Sequence, residues 1–349
     1  MSNHLRANLW LLCLTLVLCS VLYPLVLWVI GQTIFPDKAH GSLLHDRDGK
    51  VIGSRLIAQP FTDKDGNAKD EYFQPRPSAA SFKADASGAS NWGASNYQLR
   101  DRVARALGPI VKYGNGSSKR GQPVGPDMER WFQKNQFQGK PSIVAQWAVA
   151  HPTLAQNWVK ADKANASYVE EWQKQHPDEV AAWIKENPDN HAPKPEDLAV
   201  SFFVSYSKSH PGAWPSQVEH KVAGGQIEKR MEPGRVGSDI QAYFFDMWRQ
   251  ENPEISLQDV PADMVMASGS GLDPHITLKN ARYQLDRVAA AWAEKTKGDR
   301  ARIQQEIEDL LNQKAEAPLG GLVGVKLVNV LEVNLALRER FGSRTGATP

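Results

Sequence analysis

Cysteine is nearly absent from this sequence of 349 residues. The only two, Cys13 and Cys19, lie in an apolar N-terminal run, so the rest of the chain can form neither a disulfide framework nor a thiolate zinc site. The nine His are scattered and form no HxxxH or HExxH pattern. Cysteine-based and zinc-based chemistry is therefore excluded from the soluble part of the chain.

The sequence also lacks a large net charge and recognisable catalytic motifs. The sequence has 41 Lys and Arg against 39 Asp and Glu, which leaves no basic footprint for nucleic acid. It contains no GxSxG elbow, no Walker A loop and no outstanding pair of carboxylates. These absences predict a protein that is not an enzyme by itself.

The longest uncharged stretch is the N-terminal one. From Ala7 to Ile34 no residue is charged, and about 20 apolar residues suffice to cross a bilayer. Trp10 and Trp28 lie near its ends, and Pro24 predicts a kink. A cleaved signal peptide is the competing interpretation, but its apolar core is shorter. We predict a transmembrane anchor over residues 7–34, and the flanking charges do not fix its orientation.

The residues after the anchor predict short strands followed by loops. Residues 42–44 and 51–56 flank Asp46-Arg47-Asp48-Gly49, which is typical of a hairpin. Residues 78–98 are rich in Ser, Ala, Gly and Asn and predict a loop, and a helix is expected from Leu99 to Leu107. Residues 109–125 predict a flexible linker because they are rich in Gly and Ser.

Most of the eleven Trp fall in the middle of the chain, where a pattern repeats. Pro141, Pro152 and Pro177 each precede a Trp by six residues, and Trp147 and Trp172 are each followed by three residues and His-Pro. Pro suits the first turn of a helix, so the pattern predicts an array of short helices with one Trp anchor each. Packing of these Trp is favoured, and an aromatic binding surface stays open as the alternative.

A Gly- and Ser-rich loop lies in the last third of the chain. Residues 212–240 are rich in Gly and Pro, and residues 240–249 predict one more aromatic helix. After residue 260, Ser268–Gly271 form a tight loop, Asp273 is a good N-cap and Pro274 a good first residue of a helix that runs to Ala293. Such a loop can hold an anion, or it can simply cap the helix.

Eight stretches in order carry a resemblance to a known family. The sequence resembles the KdpC family, the C subunit of bacterial potassium-transporting ATPases, over roughly residues 5–108 and 258–341. The stretches are residues 23–25, 31–36, 39–43, 53–59, 72–79, 87–96, 267–274 and 328–337. The sequence departs from the family pattern at Ala89, at Met266, and in about 150 additional residues between Leu107 and Val260.

The resemblance implies an architecture. We expect an α+β fold with a transmembrane anchor over 7–34, a KdpC-like soluble domain over 35–108 and 258–341, and a Trp-rich, all-α insert over 109–257. It also implies a cell inner membrane location with the soluble part in the periplasm. The chain lacks the potassium filter motif and the phosphorylation motif of a P-type ATPase, so it is expected to be neither the pore nor the pump.

The resemblance further implies a function and partners. The family acts as an accessory, chaperone-like subunit that stabilises a high-affinity potassium uptake complex and promotes ATP use by the ATPase subunit. Its partners are the channel-like subunit KdpA, the ATPase subunit KdpB, the small subunit KdpF and membrane lipid, with no nucleic acid. No cofactor of its own is expected, apart from ATP shared with the ATPase subunit.

Two groups of site residues follow from the resemblance. The family's Ser-Gly-rich motif is a candidate nucleotide contact, and a cap that shapes ion entry is the alternative role. The matching residues are Ser87, Gly88, Ser90 and Asn91. Polar segments that are rich in Gly, Ala and Ser and poor in core-forming residues are expected to contact the partner subunits. These are Tyr72, Phe73, Arg76, Pro77, Ser78, Ser268, Gly269, Ser270, Gly271 and Asp273.

A second class of function stays open. Extracellular aromatic platforms bind sugars, so the Trp-rich insert could serve a membrane-anchored cell-wall or carbohydrate-binding protein. A gene neighbourhood with the other pump subunits would support the accessory-subunit hypothesis, and an isolated gene with cell-wall neighbours would support this alternative.

Overall fold

The structure is a computed structural model that describes residues 2–45, 49–64, 66–221 and 227–342. The chain forms two compact units. The first comprises residues 1–91 and 261–349, and the second comprises residues 92–260. The predicted domain limits at residues 108 and 258 stay a prediction.

The described chain contains many short helices and a few short strands. The α-helices are α1 Ser2–Leu16, α2 Tyr23–Ile34, α3 Pro36–Ala39, α4 Tyr97–Leu107, α5 Gly125–Phe132, α6 Ile143–Ala150, α7 Pro152–Ala161, α8 Lys163–Gln175, α9 Pro177–Glu186, α10 Ala199–Ser209, α11 Ser238–Glu251, α12 Ala262–Val265, α13 Leu278–Thr296, α14 Arg300–Lys314 and α15 Val330–Gly342. The strands are β1 Leu43–His45, β2 Val51–Ser54, β3 Gln136–Phe137, β4 Lys140–Pro141, β5 Trp214–Lys221, β6 Ile227–Gly234, β7 His275–Thr277 and β8 Leu327–Asn329. A 3₁₀ turn covers Pro318–Gly321.

The N-terminal helix has the length and composition of a membrane span. It runs through His4–Ile34, and its most apolar 18 residues have a mean hydropathy of 2.4 and are not buried in the protein. A π-helical segment, Val17–Leu22, joins α1 to α2, and the Tyr23 N–H donates to the carbonyl of Leu18. Pro24 follows directly, and its ring cannot fit behind an ordinary helical turn. A wider helical turn therefore precedes Pro24, and the kink predicted at this residue stays a prediction.

The strands predicted after the anchor are confirmed. β1 and β2 pair antiparallel, with Leu43 opposite Ser54 and Val51 opposite His45. Asp46, Arg47 and Asp48 of the predicted turn lie outside the described residues.

The core of the first unit forms between helices α13, α14 and α15 and the short β7–β8 ladder. Antiparallel pairing of β7 with β8 places Ile276 beside Val328, and both are buried. α13 and α14 each contribute a row of apolar side chains that completes the core. The members of each row lie on one face of their helix because they are three or four residues apart. These are Leu278, Ala281, Leu285, Val288, Ala289, Trp292, Ile303, Ile307, Leu310 and Leu311.

The predicted helix start at Asp273 and Pro274 is wrong. Residues 275–277 form β7, and α13 begins after Thr277, whose hydroxyl accepts from the N–H of Asn280 at 3.0 Å. The β-branched Ile276 and Thr277 pair with β8, and this pairing satisfies backbone groups that a helix start would leave unpaired. Tertiary pairing thus overrides a good local capping signal.

Buried aromatic side chains build the core of the second unit. Trp147 and Trp214 are fully buried and meet edge to face at 5.1 Å between ring centroids. Trp158 and Trp172 are also buried, and Trp183 packs at the edge of the core. Each of α6, α7, α8 and α9 carries one of these Trp, so the prediction that the Trp serve packing is confirmed.

One backbone geometry, which turns a corner in the chain, recurs at the C-terminal ends of helices in the second unit. An aromatic residue, three residues, then His or Asn, then Pro occurs five times in the sequence. The cap residues have φ between −124° and −129° and ψ between 52° and 67°. These caps are His151, His176, Asn187, His210 and Asn252. A residue before Pro is pushed out of the helical region, so each Pro ends one helix and permits a new direction.

Two predictions for this unit are wrong. The insert is not all-α, because β5 and β6 form a hairpin of eight residues per strand and β3 pairs with β4. Residues 109–125 are not a flexible linker either, since Val111, Tyr113 and Val124 are buried in the core. Tyr113 also forms an isolated antiparallel β-bridge with Leu257. The mixed α and β fold class itself is confirmed, with four two-stranded sheets in the described chain.

Candidate partner-contact site

The two groups of site residues predicted from sequence meet in the first unit. The Ser78 hydroxyl donates to the carbonyl of Gly271 at 2.6 Å, and the Ser268 N–H donates to the carbonyl of Pro77 at 3.2 Å. Farther along, the Ser87 hydroxyl at 3.1 Å and the Gly88 N–H at 2.9 Å both donate to the carbonyl of Ser270. We call this meeting of residues 76–91 with residues 267–273 the Ser/Gly junction.

Gly271 is the tightest point of the Ser/Gly junction. Its φ is +70°, a conformation that side chains disfavour. A Cβ on this residue would lie 2.7 Å from the carbonyl oxygen of Gly88 and 2.9 Å from the Cβ of Ala80. Glycine is required here twice, by the backbone conformation and by the close approach of the opposite loop.

An ionic cluster closes one end of the junction. The Arg76 guanidinium donates to the carbonyl of Ala267 at 3.3 Å and lies 3.7 Å from the Asp273 carboxylate. Asp273 also lies 3.1 Å from Nδ1 of His275. This hydrogen bond is the main reason why the pKa of Asp273 is lowered and the pKa of His275 is raised. The cluster therefore favours the charged forms of both the Asp273 carboxylate and the His275 imidazole.

The predicted residues differ in exposure. Ser87, Asn91, Gly269 and Ser270 are exposed and form the rim of the junction. Phe73, Ser268 and Gly271 are buried, so their side chains or backbones support the junction from within the unit. The others are partly exposed, namely Tyr72, Arg76, Pro77, Ser78, Gly88, Ser90 and Asp273.

Two amide side chains hold the segment that leads into the junction. Asn334 of α15 accepts from the N–H of Phe73 at 2.9 Å and donates to its carbonyl at 2.8 Å. Gln284 of α13 does the same for Gln74, at 2.9 Å and 3.1 Å. Each amide presents one donor and one acceptor, so the two side chains replace a neighbouring strand for this extended segment. We call this arrangement the amide clamp.

Further polar groups fix the clamp in place. Gln284 donates to Asn280 at 2.8 Å, and Asn280 donates to the Asp263 carboxylate at 3.0 Å. Arg287 donates to the carbonyl of Tyr72 at 3.1 Å and to Gln284 at 2.9 Å. Burial lowers the pKa of Arg287, and its bonds to oxygen atoms compensate part of the lost hydration. Side-chain hydrogen bonds, in place of a neighbouring strand, thus hold the backbone of residues 72–74.

Sequence reasoning did not find the amide clamp. Asn280 and Gln284 are four residues apart on α13 and interrupt its apolar face, as Asn334 interrupts that of α15. Polar residues at core positions of a helix are a signal for buried hydrogen bonds. The carbonyl and amide they bind lie more than 200 positions away in the chain, and no local pattern reveals such a pair.

The chemistry open to the junction is limited. The Ser87 hydroxyl and the Gly88 N–H are two of the donors that the predicted nucleotide contact would use, and both already bind the carbonyl of Ser270. In the part of the chain that the structure describes, no group of three His, Cys, Asp or Glu could hold a metal ion. The geometry suits a shaped polar surface that another protein can cover.

A comparison with known families also matches two separate segments of the chain, and both reach farther towards the middle of the chain than the resemblance predicted from sequence. The model of the family described as "KdpC: K+-transporting ATPase, c chain" matches residues 5–130 and 234–339, which together exceed half of the chain. The chain belongs to the KdpC family. The match includes every residue of the Ser/Gly junction and of the amide clamp, and it omits residues 131–233.

Two KdpC relatives match about a third of the chain. The potassium-transporting ATPase KdpC subunit of Pseudomonas savastanoi pv. phaseolicola is 46% identical over 119 residues, 34% of this chain and 58% of that relative. The KdpC subunit of Methanosphaerula palustris is 44% identical over 110 residues, 32% of this chain and 56% of the relative. The chain thus spans less than two thirds of these relatives.

A third relative aligns with nearly the whole chain. The KdpC subunit of Bacillus cereus strain ATCC 14579 is 25% identical over 324 residues, 93% of this chain and 89% of that relative. Most of residues 131–233 are therefore aligned with this KdpC protein, although the family model omits them.

Proposed function

We propose that this KdpC protein is an accessory, chaperone-like subunit of a high-affinity, ATP-driven potassium uptake complex. It is anchored in the cell inner membrane by residues 7–34, with both soluble units in the periplasm. It has no catalytic activity of its own, and its partners are KdpA, KdpB, KdpF and membrane lipid. The names of its relatives as potassium-transporting ATPase subunits and its one membrane-length helix support this proposal.

The Ser/Gly junction is the observation that carries the proposal. Two segments nearly 200 positions apart bind each other through backbone groups and leave a polar rim, formed by Ser87, Asn91, Gly269 and Ser270. Small side chains let another protein approach the backbone closely, and the supporting bonds keep the rim in one shape before binding. Such preorganisation lowers the entropic cost of association.

The effect on ATP use follows from this contact. We propose that the rim binds the partner subunits and stabilises the arrangement of the complex in which the ATPase subunit works. A direct nucleotide contact through Ser87, Gly88, Ser90 and Asn91 stays a prediction. The existing bonds of Ser87 and Gly88 to Ser270 favour the stabilising role over phosphate binding.

A large, charged side chain introduced at the rim tests the proposal. Gly269 is exposed, and a Cβ there would meet nothing within 4 Å, so Gly269→Arg is compatible with the folded unit. We expect this variant to recover at least about tenfold less KdpA and KdpB in affinity purification from membranes, since about 1.4 kcal/mol corresponds to a factor of ten. Gln305→Arg, on the exposed side of α14, is the control. Equal recovery of both partners with both variants would contradict the proposed contact.

A further inference from the structure

The β1–β2 hairpin has one face packed and one face free. On the packed face, a Cβ at Gly53 would lie 2.8 Å from Cδ2 of Leu331, so α15 covers this side closely. The register of the hairpin shifts between Leu44, which pairs with Gly53, and His45, which pairs with Val51. Val51 therefore does not follow the alternation from Gly53 and lies with His45, and with Leu43 two residues before it, on the other face. Leu43 and Val51 are 40% and 49% exposed.

Apolar exposure continues along the chain on both sides of the hairpin. Ile34 and Phe35, at the end of the membrane-length helix, are 63% and 50% exposed, and Leu56 after β2 is 59% exposed. Together with Leu43 and Val51 they are five exposed apolar side chains within residues 34–56, a concentration that soluble proteins seldom leave open to water.

The connection to the membrane-length helix is short and folded back. Helix α3 begins at Pro36, and a Cβ on Gly31 would lie 3.8 Å from the Cβ of Ala39. The N–H of Ser42 donates to the carbonyl of Asp37 at 2.8 Å, and the Ser54 hydroxyl donates to the carbonyl of Gly41 at 2.7 Å. Helix α3 is thus held beside the last turn of α2, and hydrogen bonds tie the hairpin and the residue before it to α3 and to Gly41.

We propose that the free face of the β1–β2 hairpin lies on the lipid bilayer, with Leu43, Val51 and Leu56 at the boundary between headgroups and acyl chains. The inference rests on the membrane anchoring that is part of the proposed function. A second contact beside the helix fixes the tilt and rotation of the first unit over the membrane, which a single helix alone leaves free. Apolar side chains beside a membrane helix gain by leaving water for this boundary.

Spin labelling of the full chain in vesicles tests the inference. The native cysteines are replaced by Cys13→Ser and Cys19→Ser, and one cysteine is introduced by Val51→Cys or, in a second variant, by Leu43→Cys. The chain is reconstituted alone in vesicles of phosphatidylethanolamine and phosphatidylglycerol. Collision of the label with oxygen, which concentrates in lipid, is compared with collision with a water-soluble nickel chelate.

Two control sites give the reference values. Leu25→Cys reports the inside of the bilayer, and Gln305→Cys reports an exposed position on α14. We expect labels at positions 51 and 43 to collide more with oxygen than with nickel, as at position 25, and the label at 305 to show the reverse.

Three results would overturn the inference. A water-like signal at 51 and 43 beside a lipid-like signal at 25 would refute the hairpin contact alone and leave the anchor intact. A water-like signal at 25 as well would refute both the anchor and the contact. Protection of positions 51 and 43 that arises only when KdpA and KdpB are added would assign the face to a protein partner instead of lipid.

Discussion

Single glycine and serine positions determine the shape of the Ser/Gly junction. Gly271 and Gly269 lie in the same loop, yet only Gly271 has a positive φ and close neighbours. A sequence with Ser-Gly-Ser-Gly does not show which glycine is required, because both lie in a loop-forming pattern. The structure separates them by the approach of Gly88 and Ala80.

Replacement of Gly271 is expected to destabilise the first unit. In Gly271→Ala the new Cβ meets the carbonyl of Gly88 and the Cβ of Ala80, and the positive φ adds strain. We expect a loss of about 1–3 kcal/mol in the free energy of unfolding, measured by urea denaturation in detergent. Gly269→Ala is the matched control and should change this free energy by less than about 0.5 kcal/mol. Equal effects of the two variants would show that the junction is not as close as described.

The Asp273–His275 pair predicts a dependence of stability on pH. The folded pKa of Asp273 is lowered, so its contribution is present above its unfolded pKa of about 3.9 and is lost as the pH falls through the folded value. The folded pKa of His275 is raised, so its contribution is present below about 6.5 and is lost as the pH rises through the folded value. Both contributions are present between these limits.

Asp273→Asn tests this pair directly. We expect the difference in unfolding free energy between the native chain and this variant to be largest between about pH 4 and pH 6.5, and to shrink on either side. NMR titration of His275 should show its pKa falling towards the ordinary value in the variant, because the main cause of the upward shift is removed. An unchanged His275 titration would refute the pair.

At the scale of secondary-structure elements, the repeated corner of the second unit explains how much could be predicted. The spacing of Trp and Pro predicted the helices because Pro fixes a boundary locally. The β5–β6 hairpin was not predicted, since its residues are rich in Gly and Pro and its strands carry many charged side chains. The helix expected at Asp273 failed for a related reason, because pairing between distant strands decided the structure.

The cap residues of the repeated corner are expected to be interchangeable. The Asn252 side chain donates to the carbonyl of Trp248 at 2.8 Å, and Nδ1 of His176 lies 2.9 Å from the carbonyl of Trp172 in the equivalent place. We expect Asn252→Ala to lower the free energy of unfolding by about 0.5–1.5 kcal/mol through loss of this hydrogen bond. Asn252→His should retain most of the stability, as urea denaturation would show. Equal losses in the Ala and His variants would argue against a common cap.

For the whole molecule, the sequence alone predicted a helix of membrane length, the mixed fold class and the family, because these depend on composition and local motifs. It also named both loops of the junction without showing that they bind each other. The amide clamp could not be predicted, since Asn334 and Phe73 are separated by 261 positions and meet only in the folded unit. Residues 131–233 belong to a compact unit built on buried aromatics, so they add a folded module to a KdpC protein.

The assembled complex provides the most direct test of the central claim, which is that this chain assists a pump and does not itself hydrolyse ATP. Potassium-stimulated ATP hydrolysis is measured for membranes that contain KdpA, KdpB and KdpF, with the native chain, with Gly269→Arg, or without this chain. We predict that the native chain raises the potassium-stimulated rate, that Gly269→Arg fails to do so, and that the purified chain alone is inactive. An equal rate with and without the chain, or ATP hydrolysis by the chain alone, would contradict the account.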